Sequence, residues 1–110
     1  MTVKEIISKL QLETIVLADE NRKIGGAYCG DLLSWVMGKL NYEDAWITIM
    51  NNVNIVAVAS LADASCIILS ENAEVDEDVV SKAQANKINV LRTSKSSFEI
   101  CCMLGALING

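Results

Sequence analysis

Short apolar runs alternate along this chain with stretches of helical period, and that alternation restricts the fold more than any single motif. Ala45-Trp-Ile-Thr-Ile-Met50 and Cys66-Ile-Ile-Leu69 are too short for core helices and carry no charge, so they read as buried strands. Thr14-Ile-Val-Leu17 and Asn89-Val-Leu-Arg-Thr93 are further short strands, and Ile24 to Cys29 forms another extended segment. The intervening stretches carry helix caps. Thr2-Val-Lys-Glu5 is a capping box ahead of Val3, Ile6, Ile7 and Leu10, which repeat at i, i+3, i+4 and i+7. Asp31 is placed to cap a helix whose Leu32, Leu33, Val36, Met37 and Leu40 share one face. Asp76-Glu-Asp78 puts acid into the first turn of another helix, and Ser96-Ser-Phe-Glu99 is a second capping box.

Residues 53–62 fit either state. Asn51 and Asn52 offer a cap and Ala57, Ala59 and Ala62 suit helix packing, yet Val53, Ile55, Val56 and Val58 would serve a hairpin with Cys66–Leu69 equally well. The alternation of elements favours the helix. Strand followed by helix, repeated, predicts a single compact α/β domain over residues 1–110, a largely parallel sheet flanked by helices with right-handed crossovers.

Composition excludes several classes of function. A chain of 110 residues with 52% hydrophobic content buries one substantial core. A net charge of −5 and a pI near 4.6, with no run of Lys or Arg, lack the basic footprint of a nucleic-acid or anionic-membrane binder. No apolar stretch reaches the roughly 20 residues of a bilayer span, and the first residues lack a signal peptide's order, so the expected location is the cytoplasm. Cys29, Cys66, Cys101 and Cys102 show no CxxC spacing and histidine is absent, which argues for reduced packing thiols and against a metal, a Cys-His nucleophile or a cofactor. The acid groups Glu43/Asp44 and Asp76/Glu77/Asp78 read as a loop and a solvated helix start.

Two regions stand out as candidate surfaces. From Gly25 to Leu40 a glycine-rich strand end runs straight into a helix, so Gly26 and Gly30 offer close backbone approach to a ligand or simply serve a strand-to-helix turn. Parallel sheets bind ligands beyond their strands' carboxyl ends, where the strand order reverses. Those ends would gather Tyr28, Gly30, Asp31, Asn51, Asn52, Ser70, Thr93, Ser94 and Ser96, a short-chained polar set suited to a neutral or nucleoside-like molecule, although most of them also suit helix caps. The uncharged terminal segment Ile100–Ile108 requires cover, either deep core or a subunit interface through Met103, Leu104, Leu107 and Ile108, and Trp35 lies beside the buried stripe of its helix as a further anchor.

The segments Gly25 to Gly38, Ala45-Trp-Ile-Thr-Ile49 with Asn54-Ile-Val-Ala-Val-Ala59, Cys66-Ile-Ile-Leu69, and Val90-Leu-Arg-Thr93 through Ser97-Phe-Glu99 together resemble the DRTGG domain family. That family is related to the amino-terminal domain of HPr kinase/phosphorylase and recurs in phosphotransacetylases and CBS-containing pyrophosphatases. The signature itself differs: Asn-Asn or Asn-Val stands in place of Asp-Arg, and Ser70-Glu-Asn72 in place of Thr-Gly-Gly. The resemblance implies an HPr kinase N-domain-like fold and a noncatalytic regulatory or accessory module. Such a module is expected to form a homo-oligomer, a dimer, to carry no catalytic activity, and to take a small-molecule or nucleotide effector or an enzyme partner. Kinase chemistry needs a GxxxxGK[ST] loop, and this sequence has none.

Overall fold

In a computed structural model covering residues 1–110, ten elements follow in order: α1 (Val3–Leu10), β1 (Glu13–Val16), β2 (Gly26–Cys29), α2 (Leu33–Val36), β3 (Asp44–Thr48), α3 (Asn54–Ala62), β4 (Cys66–Leu69), α4 (Glu77–Asn86), β5 (Val90–Arg92) and α5 (Ser97–Asn109). The strands make one sheet in the order β1-β5-β4-β3-β2. Strands β2 to β5 are parallel, and β1 lies antiparallel along β5. Residues 54–62 are helical, so the hairpin alternative falls away. Because β2 to β5 are laid down in one direction, the strand order never reverses among them. The crevice expected at such a reversal therefore does not form.

Side chains alternate across the two central strands and build a core on each face. Ala45, Ile47, Cys66 and Ile68 pack with Val3 and Ile6 of α1 and Ile100 and Leu104 of α5. Trp46, Ile67 and Leu69 pack on the other face with Val36, with Ile55 and Val56 of α3, and with Val79 and Ala83 of α4. Both faces of β3 and β4 are thus covered, which accounts for runs that are apolar throughout rather than alternating. The capping boxes close as read: Thr2 accepts from the Glu5 amide, and Ser96 and Glu99 cap α5 reciprocally. No helix is long and apolar enough to cross a membrane.

The Asp31 helix departs from expectation. Only Leu33–Val36 is helical, its cap is Leu32 in an extended conformation, and the cap makes no side-chain bond. The Asp31 carboxylate turns instead to β3, accepting from Thr48 Oγ1 at 2.8 Å and from the Ile49 amide at 2.9 Å. Those two donors outcompete the helix amides, and the following residues wind only briefly before Gly38. Of the expected buried face, Val36 and Leu40 are buried, whereas Leu32 and Met37 are exposed.

Burial has a measurable electrostatic consequence at Cys66. The thiol lies between the sheet and the α1/α5 layer, and burial pushes its pKa up to about 12. The unfolded chain releases this proton near pH 8.5–9 while the folded chain holds it, so the stability it contributes is full below that range and falls as pH rises toward 12. Urea melts should show a loss of about 1 kcal/mol from this thiol between pH 8 and pH 10, absent in Cys66→Ala. An unchanged pH slope in that variant would remove Cys66 as the cause.

Candidate functional site at the strand ends

The carboxyl ends of β2, β3, β4 and β5 lie side by side, so the polar residues nominated from the sequence do converge on one rim of the sheet. Most of them spend their hydrogen bonds within the chain. Besides the Asp31 contacts, Asn51 Nδ2 donates to the Glu74 carbonyl at 2.7 Å, and Asn52 Oδ1 accepts from the Asn54 amide at 2.9 Å, turning the chain into α3. Ser70 is buried with its hydroxyl 2.6 Å from that of Ser97, and Ser96 is occupied by its capping box. These bonds knit the rim together.

The glycines prove to be packing residues. A Cβ on Gly26 would lie 2.9 Å from Asp44 Oδ1, and one on Gly30 would lie 2.9 Å from the Tyr28 ring. The close approach they permit is by the chain's own side chains, and neither residue has a positive φ. Tyr28 is half-buried against the core under α2 and α3, and its strand neighbours Ala27 and Cys29 line, with Ile47, Cys101 and Leu104, a small apolar cleft on the side of β2 that faces α5.

Thr93 and Ser94 fall elsewhere, in a polar cleft of about 290 Å³ at the carboxyl end of β5. Its other walls are Leu10 and Gln11 at the end of α1, Glu13 of β1, Asn72 after β4, Arg92 and Lys95. Arg92 is fixed there, donating from Nε and Nη2 to the Glu13 carboxylate at 3.0 and 2.8 Å and from Nη1 to the Ala73 carbonyl at 3.2 Å. The hydrogen bonds from Arg92 hold the Glu13 carboxyl below its ordinary range. With that pair mutually neutralised, the Lys95 ammonium is the cation left over. Gln11, Asn72 and Ser94 are exposed around it and keep their side-chain donors and acceptors for solvent or a guest.

Gln11, Asn72, Arg92 and Lys95 were not singled out from the sequence. The signal available was Arg92-Thr-Ser-Lys95 at a strand's carboxyl end, but the contributions of Gln11 and Glu13 depend on β1 pairing with β5 from the far end of the sequence. Asn72 belongs to the loop that follows β4. Glu71 and Asn72 there have φ of 59° and 53°, the left-handed region that glycine enters most cheaply. The loop keeps a glycine-type backbone without glycine, held by the Glu71 amide donating to the Lys95 carbonyl and the Asn72 amide to the Thr93 carbonyl, each at 2.8 Å.

The interface candidates divide as well. Leu104 is fully buried in the chain's own core, Met103, Leu107 and Ile108 are half-buried against it, and Trp35 is 61% exposed. The uncharged α5 is therefore covered in large part by the sheet and α1, with Cys102 and Ala106 facing outward. No set of three or more Cys, Asp or Glu side chains gathers in a geometry that could hold a metal ion.

A small α/β module with a polar rim at its strand ends is the class of protein this geometry defines. The model of the DRTGG domain matches residues 5–107, and the chain belongs to that family. Its fold is similar to that of the CBS and DRTGG domains of the regulatory region of Clostridium perfringens pyrophosphatase, solved in complex with the activator diadenosine tetraphosphate, at a TM-score of 0.71 and 14% identity. The match covers 94% of this chain and 45% of that one, so this chain spans under half of the regulatory region. No curated protein matches the sequence.

Proposed function

We propose that this chain is a noncatalytic regulatory or accessory module of the cytoplasm, self-associating and serving a larger enzyme assembly, that senses a small polar metabolite or nucleotide in the cleft beside Thr93–Lys95. One observation carries the reading. Asp31, Asn51, Asn52 and Ser96 spend hydrogen bonds on the fold, while Gln11, Asn72, Ser94 and Lys95 bring unspent donors and acceptors to a single cleft. One ammonium among neutral hydrogen-bonding groups suits a ligand with a single phosphate or carboxylate beside a ribose or amide. The nucleotide activator of the Clostridium perfringens regulatory region supports the nucleotide class for this chain. The absence of an assembled nucleophile, base and oxyanion donor set in the cleft supports a sensor over an enzyme.

Thermal melts with adenine and guanine nucleotides, their dinucleoside polyphosphates and central carboxylate metabolites test this directly. A ligand selective for the folded chain should stabilise it by about 2.7 kcal/mol at a concentration one hundred times Kd. Lys95→Ala should weaken that ligand by about 1–2 kcal/mol while leaving the unliganded melt unchanged, since its side chain makes no bond within the fold, and Asn72→Gly, which suits the left-handed φ of 53° there, should weaken it similarly without backbone strain. A flat panel would instead favour a protein-interaction subunit with no ligand of its own.

A further inference from the structure

The fold treats the four thiols of the chain differently. Cys66 is sealed in the core, Cys102 is exposed on α5, Cys29 is exposed on β2 and Cys101 is half-buried on α5. Cys29 lies beside Ile47 in the parallel register, so it shares the sheet face on which Ile47 packs with the residues of α5. There α5 lies directly on β2, and Cys101, Leu104 and Gly105, at i, i+3 and i+4, form the helix face turned to the strand. Cys29 and Cys101 thereby line one apolar cleft of about 210 Å³. A Cβ on Gly105 would meet nothing within 4 Å, so the cleft stays open above the thiols. A cysteine kept for packing is closed off, as Cys66 is, whereas Cys29 is open to solvent with a second thiol behind it.

We infer that Cys29 and Cys101 form a peroxide-sensing pair, closing reversibly to a disulfide that staples β2 to α5. Cys29 is the thiol a small oxidant reaches, and Cys101 is the resolving thiol. The Cys29 thiolate attacks one oxygen of hydrogen peroxide, the O–O bond breaks and hydroxide leaves, making Cys29 a sulfenic acid. The Cys101 sulfur then attacks the Cys29 sulfur, the S–O bond breaks, and the departing hydroxide takes the Cys101 proton. Two thiols and one peroxide give one disulfide and two waters, the sulfurs losing the two electrons that the peroxide oxygens gain. Burial, and after it the adjacent Cys29 thiol, push the Cys101 thiol up to about 12, so Cys101 does not compete for the oxidant. Once Cys29 is a neutral sulfenic acid, the repulsion from its thiolate is gone and Cys101 ionises more readily.

The place of the staple gives it an effect. Strand β2 is an edge of the sheet and pairs with β3 alone, so it is among the elements that open first. A covalent bond to α5 holds it from a second side and closes a loop of about 70 residues, which removes many conformations from the unfolded chain. In a reducing compartment such a bond is transient, opened again by thiol exchange, and acts as a redox signal rather than a permanent brace.

Titration of the full chain with hydrogen peroxide, followed by blocking of free thiols and tryptic mapping, decides the matter. Oxidation should join the peptide of residues 24–39 to that of residues 96–110 within one chain, and dithiothreitol should release them. Cys102→Ser should keep the link, while Cys29→Ser and Cys101→Ser should each abolish it. The linked wild type should melt about 10 °C or more above the reduced form. Sulfinic acid at Cys29 with no link, or a link that persists in Cys101→Ser, overturns the pair. So does a bond between two chains in place of one within a chain, read as doubled mass without reductant. A linked chain with an unchanged melting temperature overturns the staple.

Discussion

Replacing Asn89 by alanine is expected to lower stability by about 3–4 kcal/mol, because four hydrogen bonds are lost around one buried amide. Asn89 is 2% exposed at the entrance to β5. Its Oδ1 accepts from the Ala18 and Asp19 amides at 2.8 and 2.9 Å, and its Nδ2 donates to the Asp19 and Ser65 carbonyls at 2.8 and 3.0 Å. Every donor and acceptor of the side chain is used. These bonds tie the end of β1 to the start of β4, and Ser65 in turn donates its hydroxyl to the Lys23 carbonyl in the long connection to β2.

The size of the effect follows from where the orphaned groups lie. Ala18 and Asp19 are exposed, so their backbone groups recover water, but Ser65 is 1% exposed and its carbonyl loses a partner that water does not readily replace. Asn89→Asp should cost at least as much. It keeps the shape while setting a carboxylate oxygen against the Asp19 and Ser65 carbonyls, two acceptors that want a donor. Urea unfolding of both variants checks this. A loss below about 1 kcal/mol in Asn89→Ala would show that the network contributes little beyond solvation of its parts.

Asn89 also shows what a sequence reveals and what it hides. As one letter at the head of Asn89-Val-Leu-Arg-Thr93 it reads as a turn residue, since its partners lie 24, 70 and 71 positions away. Elements set by nearest neighbours were legible, namely the capping boxes at Thr2 and Ser96 and the β3 and β4 runs, whereas the helix over residues 54–62 followed from the alternation of elements and not from its own pattern. Asp31 was misplaced because its neighbours in sequence are helix amides and its partners in space are Thr48 and Ile49. The antiparallel β1 belongs to the same group of nonlocal effects.

The candidate site divides along the same line. Asp31, Asn51, Asn52 and Ser96 were picked out for residue type and position after a strand, and each turns out to bond within the fold. Thr93 and Ser94 reach the polar cleft, but its other walls come from the α1–β1 turn and the β4–α4 loop. Burial acts similarly on α5. Its lack of charge was legible, but only the packed structure separates Leu104, closed in the core, from the exposed apolar residues of α2 and α3.

Trp46→Ala should be the most destabilising single change in the chain, costing about 4–5 kcal/mol out of a total that for domains of this kind is roughly 5–15 kcal/mol. Trp46 is fully buried in the middle of the β3 face that packs against α2 and α3, and alanine leaves a cavity bounded by strands on both sides that have little room to collapse. The indole has a second task. Its Nε1 donates to the Gly30 carbonyl at 3.0 Å, one residue before Asp31 reaches over to Thr48 and Ile49. Trp46→Phe separates the two contributions, keeping most of the apolar volume while dropping the bond, and should cost about 1–2 kcal/mol. Hydrogen exchange locates that smaller loss: the Ile49 amide, held by Asp31, should exchange faster in Trp46→Phe while amides in β5 keep their protection relative to global stability. If Ile49 and β5 change together, the indole acts through bulk packing alone. If Ile49 changes first, a single hydrogen bond from the core sets the order of the 30–32 loop and, through it, the presentation of the α2 surface.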